Sequence, residues 1–243
     1  MKLHENSVIL RITEKRMVNM NEKLEILGFE IDNLSVDESM KRVEEFLQTD
    51  SLSIIGIITP GILIEAEQSQ EYGGLIGQLN LSIIGNKEIL EAAGGESEER
   101  FTQIQDNSFM KAFLNYLIQK EMQVVLLADK MAERDIFYKY IYKKYPQLNV
   151  TGVFILEDAG EDDIVNLING VSADVLLSML SSPYQEEFVF RNRQKLGAKL
   201  WVGLGKEIPF GSHMELKPGF LGRLLEKRVL KKKISRYQSE KGD

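Results

Sequence analysis

The sequence contains no cysteine and only two histidines, His4 and His213. The absence of cysteine excludes disulfides, thiolate zinc sites, iron–sulfur clusters and cysteine nucleophiles. A histidine-based metal centre or a Ser-His-Asp hydrolase would have to be built on one of the two histidines, and His4 lies in a predicted tail. Both of these site classes are therefore disfavoured.

Long hydrophobic runs are also missing. No segment reaches the ~18 apolar residues that a membrane-spanning helix requires. The nearest candidate, residues 52–64, is interrupted by glycine and proline, which is typical of a strand followed by a turn. Residues 1–20 mix charges with short apolar pieces and do not have the continuous apolar stretch of a signal peptide. The sequence therefore predicts a cytoplasmic protein.

Charge is distributed unevenly along the 243 residues. The formal net charge is -7, but residues 217–243 contain nine Lys or Arg and three acids, a local balance of +6, so the preceding part carries -13. An acidic body argues against nucleic acid as a partner. The basic C-terminal segment is the exception and needs its own explanation.

Short apolar runs alternate with longer amphipathic stretches from about Leu24 onwards. This rhythm is typical of βα units around a largely parallel sheet. We therefore predict an α/β, Rossmann-like domain with flanking helices over residues 22–216, preceded by a tail at 1–21 and followed by a basic helical appendage at 217–243.

Within the domain, the pattern predicts one strand over Glu25–Ile31 and one helix from Pro60 to about Gly73. The polar, acidic and weakly patterned segment Glu96–Asn107 is predicted to be a linker or a mobile loop.

Ligands of an open parallel sheet lie beyond the carboxyl ends of its strands. Four loops follow predicted strands there, at residues 59–61, 85–87, 181–186 and 203–206. The last contains Gly203, Gly205 and Lys206 but not the spacing of a phosphate-binding P-loop, and no dinucleotide-binding glycine fingerprint opens a helix.

The loop at Ser182 and Pro183 has two interpretations. The backbone amides of the following helix could hold a phosphate or a sugar hydroxyl, with Gln185 as an oriented amide. Alternatively, Ser182 caps the helix and Pro183 occupies its first position.

The tail likewise has two interpretations. Residues 219–237 mix leucines with cations at a spacing that predicts a basic amphipathic helix, which could lie on an anionic membrane or bind a diphosphate. A terminal helix docked on its own core fits the composition equally well.

Taken together, these residues resemble the WecG/TagA/CpsF family of bacterial glycosyltransferases. The strongest stretch is INGVSADVLLSMLSSPYQEEFVFRNRQKLGAKLWVGLGK at residues 168–206, which is similar to the family's A-D-[IV]-L-L, G-S-P-x-Q-E and G-V-G elements. Segments 79–94 and 145–148 add support.

The resemblance implies transfer of an N-acetylmannosamine-type sugar from a UDP donor to a polyprenyl-diphosphate-linked sugar, with inversion and with no essential metal or cofactor. The implied partners are a UDP-N-acetylhexosamine, the lipid-linked sugar and an anionic membrane surface, so that the protein sits peripherally at the inner face of the cell membrane. A homo-oligomer is left open. The implied substrate-binding residues are Thr59, Gly85, Asn86, Ser182, Pro183, Gln185, Gly203 and Gly205. The implied diphosphate- and membrane-binding residues are Arg223, Arg228, Lys231 and Arg236.

The sequence departs from the family pattern where the chemistry is expected. The family's T-x-N is Thr59-Pro60-Gly61 here, and its P-D-G, with the aspartate as proposed general base, is Ile84-Gly85-Asn86. Neither Gly85 nor Asn86 can accept a proton usefully at neutral pH. We therefore predict Glu88 as a relocated base, with Glu65 and Glu207 as the other nearby carboxylates. The alternative is a catalytically inactive relative that acts as a binding or scaffold protein.

Overall fold

A computed structural model describes residues 23–94, 97–205 and 220–241. The strands found in these ranges are β1 (Lys23–Ile26), β2 (Phe29–Asp32), β3 (Ser53–Ile58), β4 (Leu81–Ile84), β5 (Val124–Ala128), β6 (Val150–Ile155), β7 (Val175–Met179) and β8 (Leu200–Gly203). Strands β3 to β8 form one sheet in the order β4-β3-β8-β7-β5-β6, and every pair in it is parallel. The predicted α/β, Rossmann-like fold is confirmed.

Helices cover both faces of the sheet. The α-helices in the described ranges are α1 (Val36–Leu47), α2 (Pro60–Gln68), α3 (Gln70–Ile76), α4 (Lys87–Ala92), α5 (Glu98–Gln105), α6 (Ser108–Gln119), α7 (Met131–Lys144), α8 (Glu161–Gly170), α9 (Tyr184–Asn192) and α10 (Phe220–Lys241). Helices α1, α6 and α7 pack into one hydrophobic cluster, and α8 and α9 pack into another.

Strand β5, which lies between β7 and the edge strand β6, shows that the sheet is buried on both faces. Val124 and Leu126 belong to the first cluster, whereas Val125 and Leu127 belong to the second. Successive side chains of a strand point to opposite faces, so a strand covered on both sides must be apolar throughout. This explains the continuous apolar runs in the sequence.

The strand predicted over Glu25–Ile31 is wrong, because the segment forms a two-stranded antiparallel hairpin from β1 and β2. Leu27 and Gly28 connect the strands with φ angles of 52° and 84°. Two consecutive residues with positive φ produce the tight turn whose twist suits a hairpin. Leucine gives no sequence signal for this conformation, which explains the error.

Two further expectations need correction. The helix predicted from Pro60 to about Gly73 is interrupted at Ser69, whose hydroxyl accepts a hydrogen bond from the Tyr72 amide and starts α3. The segment Glu96–Asn107, predicted as a linker or mobile loop, contains α5, which is capped by Ser97. Helix α5 buries no residue completely, so its apolar pattern is too weak to predict a helix.

The proposed tail at 1–21 and the boundary at residue 216 lie outside the described residues. Part of the predicted C-terminal appendage is described as α10, which contacts α2 and α4. Leu230 of α10 is buried in a third hydrophobic cluster, together with residues of α2, α3, α4 and the hairpin.

Candidate active site

The carboxyl ends of three adjacent strands, β3, β8 and β7, open onto one cleft of about 240 Å³. The described residues that line it are Thr59, Gly61, Ile62, Glu65, Ser181, Ser182, Leu204 and Gly205. Thr59 follows β3, the two serines follow β7, and the last two residues follow β8. The structure therefore brings together three residues that the sequence assigned to substrate binding, Thr59, Ser182 and Gly205.

Thr59 is fixed by its place at the start of α2. Its backbone is extended, and its hydroxyl accepts a hydrogen bond from the Ile62 amide at 3.4 Å. Pro60 occupies the first helical position, where its missing N–H is not needed. The amino terminus of α2 is thus directed at the cleft, where its partial positive charge favours an anion.

Gln185 lies directly behind the lining of the cleft and is only 1% exposed. Its side-chain oxygen accepts a hydrogen bond from the Gly205 amide at 3.2 Å, and its side-chain nitrogen donates to Glu186 Oε1 at 3.0 Å. A Cβ atom on Gly203 would lie 2.6 Å from that nitrogen. Gly203 is therefore required for close packing, and Gln185 ties the loop after β8 to α9.

Ser182 does not cap α9, so the capping interpretation is wrong. Pro183 occupies the cap position without a side-chain hydrogen bond, and the peptide bond that precedes it is cis. The Ser182 hydroxyl instead donates to Glu186 Oε1 at 3.2 Å.

Glu186 and Tyr72 form a buried polar pair beneath the cleft. Both Glu186 Oε2 and the Tyr72 hydroxyl are buried, and neither has a hydrogen-bond partner of normal geometry among the described residues. Burial raises the pKa of the Glu186 carboxyl, although the hydrogen bonds from Gln185 and Ser182 oppose the shift. Burial also raises the pKa of the Tyr72 hydroxyl, and the nearby charges of Glu186 and Glu65 add to this effect.

Asp129 is a site residue that sequence reasoning missed. It follows β5, and its Oδ2 accepts hydrogen bonds from both the hydroxyl and the backbone amide of Ser181, the latter at 3.0 Å. The two residues are 52 positions apart, so no local pattern links them. Asp129 fixes the loop after β7 from the neighbouring strand.

Gly85 and Asn86 lie at the end of β4, and they line a second cavity that adjoins Thr59. Asn86 precedes α4 but makes no capping hydrogen bond with its side chain. A Cβ atom on Gly85 would approach Ile57 Cγ2 to 2.8 Å and the Ile58 carbonyl oxygen to 3.0 Å. There is thus no room for a side chain where the sequence comparison expected an acid.

Arg100 of α5 lines the same second cavity and was also missed, because the segment was predicted to be a linker. Its Nη1 donates to Gln103 at 2.9 Å, whereas its buried Nε has no partner in the part of the chain that the structure describes. Burial lowers the pKa of the guanidinium, and the charges of Glu38 and Glu99 oppose this shift. A partly buried cation next to Thr59 makes this cavity suitable for an anionic group.

Glu88, the predicted base, lies in the first turn of α4 and is partly exposed. It is not among the described residues that line the cleft or the second cavity. Its catalytic role stays a prediction. Glu207 lies outside the described residues, whereas Glu65 is a lining residue of the cleft.

One face of helix α10 packs against the α/β domain, and the other face is exposed to solvent. Leu230 is buried, Lys233 pairs with Glu67, and the Tyr237 hydroxyl donates to Glu25 at 3.1 Å. The exposed side chains include Arg228, Val229, Lys231, Lys232 and Arg236. The helix therefore docks on its own core and still presents cations outward. Arg223 lies in α10, but its side chain is outside the described part.

Within the described ranges, no helix is both long and apolar enough to cross a bilayer. The same ranges contain no group of three His, Asp or Glu side chains placed to hold a metal ion.

Comparison with known proteins agrees with this geometry. Residues 24–215 match the model of the glycosyl transferase WecG/TagA/CpsF family. Similar relatives occur in Staphylococcus aureus strains MRSA252, NCTC 8325 and COL, each named N-acetylglucosaminyldiphosphoundecaprenol N-acetyl-beta-D-mannosaminyltransferase. Each is 20% identical over 185 residues, which cover 75% of this chain and 73% of the relative. The family match spans the whole described sheet and all three loops of the cleft, and the chain therefore belongs to the WecG/TagA/CpsF family of glycosyl transferases.

Proposed function

We propose that this protein transfers an N-acetylmannosamine-type sugar from a UDP donor to a polyprenyl-diphosphate-linked sugar during the assembly of cell-surface glycans. The observation that carries the proposal is the convergence of the loops after β3, β7 and β8 on one cleft. The carboxyl edge of a parallel sheet is where nucleotide ligands bind in such folds. The names of the relatives support the sugar and the class of acceptor.

The donor diphosphate fits the cleft because the helix terminus there favours an anion. The amino terminus of α2 supplies partial positive charge at Thr59, Gly61 and Ile62. Ser181 and Ser182 also line the cleft, and their hydroxyl protons are donated to Asp129 and Glu186. Gln185 contributes as a positioning residue, since it holds Gly205 rather than lining the cleft.

Acceptor access fits the placement of α10. This helix packs on α2, whose Gly61 lines the cleft, and on α4, which follows Asn86 of the second cavity. Its outward cations would attract the anionic headgroups and the diphosphate of a lipid acceptor, at about 1 kcal/mol for each cation near the surface. This arrangement supports peripheral attachment to the inner membrane face.

Transfer is tested with the purified full chain, UDP-N-acetylmannosamine and a short-chain polyprenyl diphosphate that carries N-acetylglucosamine. We expect the donor to raise the melting temperature and a disaccharide to form on the lipid. UDP-N-acetylglucosamine with the same acceptor serves as the specificity control. Neither stabilisation nor product with any UDP-N-acetylhexosamine would contradict the proposal.

Membrane attachment is tested with Arg228, Lys231 and Lys232 replaced together by Gln. Three cations at about 1 kcal/mol each predict roughly 10²-fold weaker binding to anionic vesicles at low salt. The matched control replaces Lys139, Lys143 and Lys144, which are exposed on α7. Equal losses of vesicle binding in the two variants would show that only the total charge of the protein matters. That result would contradict a specific role of α10 in membrane attachment.

A second candidate is a non-catalytic binding protein of the same fold. The close packing of Gly85 favours it, because the position at the end of β4 cannot hold a side chain without movement of Ile57 or Ile58. Stabilisation by the UDP-sugar with no product under any acceptor condition would support this second function over the first.

A further inference from the structure

The structure points to Glu65 as the general base of the proposed transfer. This inference rests on the proposed function and names the group that replaces the missing acid at Gly85.

Glu65 is the one ionisable residue among the described residues that line the cleft. The other lining residues are glycine, aliphatic or hydroxyl-bearing. Glu65 lies in α2, six positions after Thr59, so a rigid helix carries both residues. Its side chain is exposed on the solvent side of the cleft, where an incoming acceptor hydroxyl can reach it.

Asp32 and Asp129, two other carboxylates near the cleft, are engaged in structural contacts. Asp32 lines the second cavity, but its Oδ2 accepts hydrogen bonds from the amide and the hydroxyl of Ser82, both at 2.8 Å, and its Oδ1 lies 3.4 Å from Lys23 Nζ. Asp129 holds Ser181 through two hydrogen bonds.

Glu186 is also unsuitable, because it is only 4% exposed. Its Oε1 is occupied by Ser182 and Gln185. Glu65 lies close enough to this buried group for its charge to act on the neighbouring Tyr72 hydroxyl. Glu65 and Ser182 both line the cleft.

The step balances without an additional reactant. The acceptor oxygen attacks the anomeric carbon of the donor sugar while its proton moves to the Glu65 carboxylate. The bond between the anomeric carbon and the phosphate oxygen breaks, and UDP leaves with the electron pair. Attack from the side opposite UDP inverts the anomeric centre.

The test compares Glu65→Gln with wild type in donor binding and in transfer. We expect the variant to keep the stabilisation by the UDP-sugar and to lose about 10² to 10⁴ in kcat/KM, as expected for removal of a general base. Glu71→Gln on α3, an exposed acid outside the cleft lining, is the matched control and should leave both readings unchanged.

The possible results separate the two proposals. Full transfer by Glu65→Gln, or loss of transfer in Glu88→Gln alone, would overturn the role of Glu65 and leave the proposed function intact. Loss of donor stabilisation together with transfer would make Glu65 a binding residue and would also overturn its role as a base. A wild-type protein that binds the donor but never transfers sugar would overturn both proposals.

Discussion

The carboxyl ends of the three strands β3, β8 and β7 differ sharply from the carboxyl end of β4, although all four lie on the same edge of one sheet. After β7 and β8, the loops are held by long-range hydrogen bonds from Ser181 to Asp129 and from the Gly205 amide to Gln185, and after β3 the Thr59 hydroxyl accepts from the Ile62 amide. At β4, Gly85 offers no side chain and Asn86 makes no capping bond. The loops of the proposed ligand cleft and the position of a reacting group can therefore change independently within one fold.

Packing explains the difference between these two regions. Gln185 is enclosed by Gly203 and bonded to Glu186, so a change in any of the three disturbs its neighbours. In this chain, Ile57 and Ile58 fill the space beside Gly85.

The largest effect is expected for Gly85→Asp, which tests whether the β4 end can regain the acid. The new side chain would collide with Ile57 and with the Ile58 carbonyl, and it would bring a charge into a partly buried site. We expect a loss of about 3 kcal/mol in the free energy of unfolding, measured in urea, and no gain in transfer. A variant that stays stable and transfers sugar faster would contradict this prediction, because it would show that position 85 has room for an acidic side chain.

An intermediate effect is expected for Gly203→Ala, which tests the rigidity of the other region. The added methyl group would displace the Gln185 amide and loosen Gly205. We expect a loss of about 2 kcal/mol in the free energy of unfolding and a loss of stabilisation by the UDP-sugar.

The control for this substitution is Gly74→Ala in α3. A Cβ atom there meets nothing within 4 Å, so alanine should stabilise the helix by roughly 0.5–1 kcal/mol. If Gly203→Ala kept full donor binding, the contact between Gly203 and Gln185 would not control the cleft.

The smallest effect is expected for Glu186→Gln, measured as unfolding stability against pH. Because the folded-state pKa of Glu186 is raised by burial, its protonated form is favoured in the fold. Wild-type stability should therefore fall as pH rises from the ordinary glutamate range through the raised value. The variant should lose this slope and be the more stable protein at alkaline pH, by less than either loss above.

A parallel pH dependence in Glu186→Gln and wild type would contradict this assignment and would point to another buried acid. The urea dependence of unfolding should keep the same slope in both proteins, which confirms that only stability has changed.

Much of the fold, and the loops of the cleft, could be predicted from the sequence, because the sequence patterns that indicate them are local. The buried strands appear as short apolar runs, and Ser35 and Glu38, three positions apart, form a capping box with both hydrogen bonds present. The three loops of the cleft were also found, since the residues after each strand are adjacent to an identifiable apolar run. The hairpin turn at Leu27 and the weakly apolar helix α5 gave no such signal.

The sequence by itself determined the layered α/β architecture, the family and the loops at the strand ends. These features could be recognised because the hydrophobic periodicity of strands and helices, and the residues that favour turns, are patterns of only a few neighbouring positions. Only the tertiary structure decided that Asp129 holds Ser181, that Arg100 reaches the second cavity, and that the carboxylate in the cleft is Glu65 rather than Glu88. These are contacts between elements far apart in the chain. They depend on the order of strands and the packing of helices, and local sequence patterns do not encode them.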